Sequence, residues 1–558
     1  MAETVLPDVY IEVRSEGLIA PAQITVGRMG IVGTASKGPL FTPTALNSKQ
    51  DAHQAFGDPD QFQDGTQDEL TLVRAIDLAY GGGATTVYAV RVSALDAGGD
   101  PTATAASRAL ASPGGTAATL NAKSPGTWAN EMTVEVANAT ENPFVRGEEY
   151  PGGAAISLAH TPVLASPRNR IKLFRAATGA SSDLEIVTAA PATDDQVQID
   201  LATGALTFGP TALTGADRVT ASYLVDKASG RKVTLDDGQT KETYTIVDGN
   251  NLVGQVNARG GSDLVTGTAG AQATELPDTG PAVAFAGGEN GESGAVYANG
   301  LDALLAADVH IIVAGGQDAG TIGADVAAHC ENASTDAIKR DRIGIVGSAL
   351  GDSVDDIQAT ADTLASERLV FVAPGIVVRD NFAVPPADVT LPGAFSAAAV
   401  GGLIASLAPH VSPTNKVVGG VRGLEEVFGA GQLAALVTER VLVLTERQGF
   451  RVVKGITTST NTAFSQITTR RIVDYAKYGV RSAATPYIGL LNNARVRGAL
   501  RATVNSFLAQ MVLDEMLVSY DLDVSATRDE ERQGIARVTM TLRPTFSIDY
   551  IKVTMFLE

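Results

Sequence analysis

The feature that most constrains this chain is an alternation of buried strands and helices that breaks off and later resumes. Gly27–Gly33 (GRMGIVG) reads as a short buried strand and Thr86–Val92 (TVYAVRV) as another. Between them the spacing predicts a helix over Gln67–Tyr80, with Leu70, Val73, Ile76, Leu78 and Ala79 roughly on one face. After Phe285 the pattern returns. Val309–Val313, Arg342–Val346 and Leu369–Val372 are short apolar runs separated by helical stretches at Gly323–Ala333 and Ser353–Ser366. Apolar strands with helices between them predict a parallel sheet covered on both faces. Ala394–Leu407, small and apolar throughout, has the composition of a tightly packed helix.

From about Ser93 to Pro281 the sequence is Thr- and Gly-rich and carries short alternating runs such as MTVEVAN, RIKLFRA, QVQIDL and RVTASYLV, punctuated by turn residues. That predicts one or two inserted β-domains, with Gly254–Gly280, low in large apolar residues, as a linker or long surface loop. Near the C-terminal end, Leu500, Val504, Phe507, Leu508, Met511 and Val512 form the stripe of a helix over Val496–Leu517. A hairpin follows, with Tyr520, Leu522 and Val524 alternating against Asp521, Asp523 and Ser525, then Ala536, Val538, Met540 and Leu542 after the turn TRDEERQG. Pro544 breaks the ladder.

Both ends read as strand-competent arms. Val9, Ile11 and Val13 alternate with Tyr10, Glu12 and Arg14, and Ile551, Val553, Met555 and Leu557 alternate with Lys552, Thr554 and Phe556. An arm of this kind spans roughly 40–50 Å when extended. A compact chain of this length has a radius of gyration near ~24 Å, so an arm reaches a neighbour. Such an arm gains main-chain hydrogen bonds by adding a strand to another subunit's sheet. Terminal strands also commonly pair within their own chain, and that is the plainer reading of the residues alone. The expected division is an N-terminal arm over 1–25, a first part of the core over 26–95, a β-rich insertion over 96–280, the rest of the core over 281–543 and a C-terminal arm over 544–558.

Composition removes several function classes. The 558 residues carry a net charge of -20, against what nucleic-acid binding requires, although Arg470, Arg471, Arg495, Arg497 and Arg501 cluster locally. A single cysteine, Cys330, leaves no disulfide framework and no cysteine-based metal site, and fits a reducing compartment. No apolar run is long enough for a membrane span, and the opening residues lack the pattern of an export signal.

The catalytic screen is equally bare. TASKGP (Thr34–Pro39) follows an apolar strand as a phosphate loop does, but the Gly-Lys-Ser/Thr order is missing. Gly27, Gly30 and Gly33 do not have dinucleotide spacing. AGGQDAG (Ala314–Gly320) also follows a strand and could open onto a helix N-terminus, although Gly-rich strand-to-helix turns are common without a ligand. His53, His160, His310, His329 and His410 are scattered without ligand spacing. Ser348, in VGSALG, lacks the second glycine of a nucleophile elbow. The acidic run Asp58–Glu69 places Phe62 where a calcium loop needs an oxygen ligand. No catalytic, cofactor or metal residues are expected.

Several segments, in order, resemble the tail sheath family of contractile phages and injection systems. PDVYIEVRS (Pro7–Ser15) resembles the family's opening arm, with Asp8 where glycine is usual. VGRMGIVGTASKGPLFTPTALNS (Val26–Ser48), then Phe56 and Gly57, resemble its V-G-x-A-x-K-G-P, T-P, S and F-G sequence. SPGTWANEMTVEV (Ser124–Val136), FAGGENG (Phe285–Gly291), SPTNKVVGGV (Ser412–Val421) and RRIVDYAKYGV (Arg470–Val480) are similar to later family elements, with Ala129 replacing a glycine and Asn290 the usual Asp. Ala137–Pro281 has no such likeness.

The resemblance implies an α/β core with helices on both faces, built from N- and C-terminal sequence, and all-β outer domains inserted into it. It implies a subunit that polymerises around an inner tail tube, its arms completing a sheet in neighbours, and that contracts to drive the tube through an envelope. Its partners would be itself, the tube protein and the baseplate and terminator proteins, without nucleic acid, membrane or cofactor. Its place would be a virion tail or cytoplasmic injection particle assembled in the host cytoplasm. Val9, Tyr10, Ile11, Val13, Ile551, Val553, Met555 and Leu557 would be the arm contacts, and Arg470, Arg471, Arg495 and Arg497 candidate tube- or neighbour-facing charges. A static shell protein, or an α/β nucleotide-binding enzyme with a β accessory domain, stands as the alternative.

Overall fold

The structure, a computed structural model, describes residues 26–63, 69–153 and 155–556. They form two compact units. The first takes the described residues up to Ala35, then Pro39–Gly98 and everything from Glu292 on; the second takes Ser36–Gly38 and Gly99–Gly291.

The first unit is organised by an eight-stranded sheet. Val87–Arg91, Met29–Gly33, Ile311–Asp318, Ile343–Gly347, Leu369–Ala373 and Val441–Glu446 lie side by side in that order, all parallel. Antiparallel strands Thr44–Leu46 and Phe450–Val452 close its two edges. Strand side chains alternate between faces, and here both faces are dry. Ile31, Ile311, Val313, Ile345, Val370 and Leu442 pack under the helices Leu72–Gly82 and Gly393–Ser406. Val32, Ile312, Val346, Phe371 and Val443 pack under Ala319–Ala333, Val354–Asp362 and Ala430–Thr438. Double coverage is why these strands read as unbroken apolar runs.

Local chemistry sets the helix starts. Asp318 accepts a hydrogen bond from the Thr321 backbone at 3.0 Å, and Ser353 and Asp356 form a reciprocal capping box. The first of these helices therefore begins four residues before the expected Gly323. The helix Gly393–Ser406 is buried from Gly393 to Ile404 because its backbone presses on Leu72–Gly82. A Cβ on Gly402 would lie 2.0 Å from the Ala79 carbonyl oxygen, and one on Gly82 would lie 2.2 Å from that of Ala399.

The C-terminal part of this unit has its own apolar cluster. Ile472 from the helix Ile467–Ala484, Val504, Phe507, Leu508 and Met511 from the helix Ala494–Leu513, and Leu517 from the hairpin pack together. The second helix stops at Leu513, short of the expected Leu517, because Leu517 already begins a strand.

The second unit is β-rich. Its largest sheet runs in the order Phe144–Pro151, Arg218–Val225, Arg170–Arg175, Ala180–Val187, Gln196–Ile199, Ala205–Phe208, Ile156–Ser157, around a cluster that includes Ile171, Val197, Val219 and Tyr223. A second cluster holds Leu120, Val134, Val233 and Ile246. Two expectations need correction here. Gly254–Gly280 is no linker, since it includes the end of the helix Gly249–Asn257 and the strand Val265–Ala269, with Val256, Leu264 and Val265 buried. That helix also means the insertion is not all-β. Large side chains are scarce because helix and strand lie close, with a Cβ on Gly267 only 2.8 Å from Val256 Cγ2.

Candidate assembly interface

The hairpin Leu517–Ser525/Arg537–Pro544 is a sheet of two strands, each paired only with the other among the described residues. Tyr520, Leu522 and Val524, with Val538 and Leu542 opposite, face the C-terminal apolar cluster, and the alternate positions are polar. Two strands alone make a marginal sheet, and each has an unpaired main-chain edge. The turn between them contains a short helix, Arg528–Arg532, with Thr527 and Glu530 forming a capping box.

Beyond Pro544 the described chain runs to Phe556 without pairing to any strand. Asp549 is held near Lys454 at 3.8 Å and Gln466 at 3.3 Å. After it the apolar side chains stand in solvent, with Ile551, Val553 and Met555 exposed by 82%, 76% and 84%. Phe546, Ile548, Tyr550 and Phe556 are exposed as well. Val9, Tyr10, Ile11, Val13 and Leu557 lie outside the described residues.

The arginines considered as tube- or neighbour-facing divide into buried and exposed. Arg470 and Arg471 sit inside the unit, 4% and 9% exposed, on a helix that packs against the core. Arg470 donates to Asp474 at 2.8 Å and to Glu367 at 2.5 Å, and Arg471 donates to the Leu407 carbonyl at 2.9 Å. Burial draws the Arg471 pKa down to about 10. Within the single chain each is taken up by internal partners. The same seam joins Arg368 to Asp474, and Arg481 and Lys477 to the fully buried Asp341. It also encloses a cavity of about 30 Å³ lined by His310, Arg471 and Tyr478. Arg497 is half-buried and pairs with Glu531 at 3.0 Å, while Arg495 and Arg501 are exposed.

The two loops that resembled ligand loops diverge from the sheet's topological switch point, between Met29–Gly33 and Ile311–Asp318, where a doubly wound sheet would bind a ligand. Tyr297 occupies part of that place, beside an open cavity of about 220 Å³ lined by Glu292, Gln317, Thr321 and Asp325. Tyr297, 7% exposed, donates its hydroxyl to the Gly315 carbonyl at 3.1 Å and lies 2.9 Å from Thr71 Oγ1. Thr34 donates to the Glu69 carbonyl at 2.7 Å, and its backbone N–H donates to Thr71 Oγ1. Lys37 stands 4.4 Å over the Trp128 ring instead of reaching toward an anion. His329 packs against Arg342 and is pulled down to about 4 by burial. Among the described residues no His, Cys, Asp and Glu group has the form of a metal site, and no helix is long and apolar enough to cross a membrane.

What the described residues leave open is a hairpin with unpaired edges and an exposed apolar arm. Two stretches of the chain match models of phage tail sheath proteins. Residues 27–92 match the tail sheath protein Gp18 domain III N-terminal region, and residues 459–558 match the phage tail sheath C-terminal domain. The fold is that of the sheath tail protein of Desulfitobacterium hafniense, at 13% identity over 96% of this chain and 100% of that one, with a TM-score of 0.58. The sheath tail protein of Listeria innocua is similar at 12% identity over 95% and 98%, with a TM-score of 0.57. Among curated proteins none matches the sequence.

Proposed function

We propose that this sheath subunit polymerises by strand exchange, the arm of one copy completing the hairpin sheet of another. The observation that carries the reading is the conjunction of an unpaired two-stranded sheet with an exposed apolar–polar arm in one chain. Each supplies what the other lacks, since the sheet gains strands and the arm buries Ile551, Val553 and Met555. Residues 1–25 and 544–558 act as the two arms, with Val9, Tyr10, Ile11, Val13 and Leu557 in equivalent roles. The polymer surrounds an inner tail tube between baseplate and terminator proteins, in a tail particle assembled in the host cytoplasm. On contraction it drives the tube through a target envelope. The subunits shift as bodies and the strand links bend, so the work comes from repacked interfaces and no catalytic step is required.

Removing residues 545–558 tests this reading. The truncated chain should stay folded and monomeric by sedimentation at concentrations where the full chain forms striated hollow cylinders by negative-stain microscopy. Unchanged cylinders would sink it.

A further inference from the structure

The two edges of the hairpin are not alike. The helix Ala494–Leu513 packs along Leu517–Ser525, and two of its residues one turn apart reach that strand. Arg501 Nη2 donates to the Leu522 carbonyl at 3.2 Å, and the Tyr520 hydroxyl donates to Asn505 Oδ1 at 2.8 Å. Arg501 is exposed, so its guanidinium meets the carbonyl from the solvent side of the strand rather than through the ladder to Arg537–Pro544. A main-chain carbonyl on an unpaired edge is the acceptor that an incoming strand uses. Here a side chain already occupies it and sets a positive charge along the edge. On the other strand Arg537 donates to Glu530 and Arg543 to Ser519 Oγ. Among the described residues no side chain hydrogen-bonds a main-chain group of Arg537–Pro544.

We infer that Arg501 is an edge guard. It keeps the Leu517–Ser525 edge from taking a strand while the Arg537–Pro544 edge stays receptive, so a second copy's arm adds first at Arg537–Pro544. The guarded edge is filled only by a strand able to displace the guanidinium. This rests on the strand-exchange reading and adds an order to it. A single exposed hydrogen bond is a small barrier, so the guard raises the concentration at which assembly starts without blocking it.

The test follows the full chain by light scattering over a concentration series. Arg501→Ala should polymerise at a critical concentration about threefold to tenfold below wild type. Asn505→Ala loses only a contact to the Tyr520 side chain and leaves the Leu522 carbonyl covered, so it should match wild type. Should Arg501→Ala prove unfolded by circular dichroism, Arg501→Gln takes its place with the same expectation. An Arg501 variant that assembles like wild type, or less readily, overturns the guard. So does an equal shift in Asn505→Ala. A chain lacking residues 545–558 that still polymerises overturns strand exchange itself.

Discussion

Arg368 holds the Asp474 carboxylate with both arms of its guanidinium, Nη1 to Oδ2 at 2.9 Å and Nη2 to Oδ1 at 3.0 Å. The pair fastens the C-terminal helices to the sheet, and its side chains are only 7% and 11% exposed. A buried pair adds little over an apolar replacement, but breaking one strands a charge. Asp474→Ala leaves Arg368 and Arg470 without this carboxylate and should cost about 3–5 kcal/mol in denaturant unfolding. The double replacement Arg368→Met with Asp474→Leu should cost clearly less, because the charges left behind keep other partners, Arg470 with Glu367 and Asp341 with Lys477 and Arg481.

Glycines in helices usually weaken them, and the close approach at Gly402 reverses the expectation. Gly402→Ala places a Cβ 2.0 Å from the Ala79 carbonyl oxygen and should lower stability by about 1–3 kcal/mol. Gly431→Ala, in the helix Ala430–Thr438 with open space around it, should be neutral or stabilise by up to about 1 kcal/mol. Thermal melts of the two variants should move apart.

His53 predicts a pH dependence. Its Nε2 lies 3.2 Å from Asp77 and its Nδ1 2.6 Å from Asp58. The hydrogen bond to Asp77 leads in raising its pKa to about 9, against the opposing effect of burial. The raised value means the protonated form favours folding. That contribution is fully present below pH 6.5 and is lost as pH climbs to about 9. Denaturant titrations should show wild type more stable than His53→Gln at pH 6, with the gap closing by about pH 9.

The switch point carries no Gly-Lys-Ser/Thr loop and is lined by Glu292 and Asp325, so ATP and NADH should give no saturable heat in calorimetry. Tyr297→Phe removes a buried hydroxyl that serves both Gly315 and Thr71 and should cost about 1–3 kcal/mol.

Much of the core was legible because its constraint is local. A strand buried on both faces must be apolar throughout, and Leu369–Ala373 announces itself in that way. The hairpin alternation of Tyr520, Leu522 and Val524 was legible for the same reason. The seam was not. Arginines are ordinarily exposed, and the partners that bury Arg470 come partly from Glu367, 103 positions away, which periodicity does not reveal. Asp474, four residues on, was the one local signal, an i,i+4 pair on a helix with almost no exposed side. Gly254–Gly280 misled because composition does not separate a loop from a helix packed closely on a strand. The switch-point contact was hidden too, since Tyr297 lies 226 positions from Thr71.

The central claim, that one copy's arm pairs with another copy's hairpin, is most directly tested by cross-linking between distinguishable chains. One tagged chain carries Val553→Cys, and a second, differently tagged, carries cysteine at Thr539, Thr541 or Arg543. Cys330 is buried and leaves the added thiols to react. Adjacent strands lie about 4.8 Å apart, so a short linker joins only paired segments. The account predicts a product bearing both tags that appears with polymer and is strongest at one of the three positions. With both cysteines in one chain, links confined to that chain, and no product bearing both tags in the mixture, would contradict it.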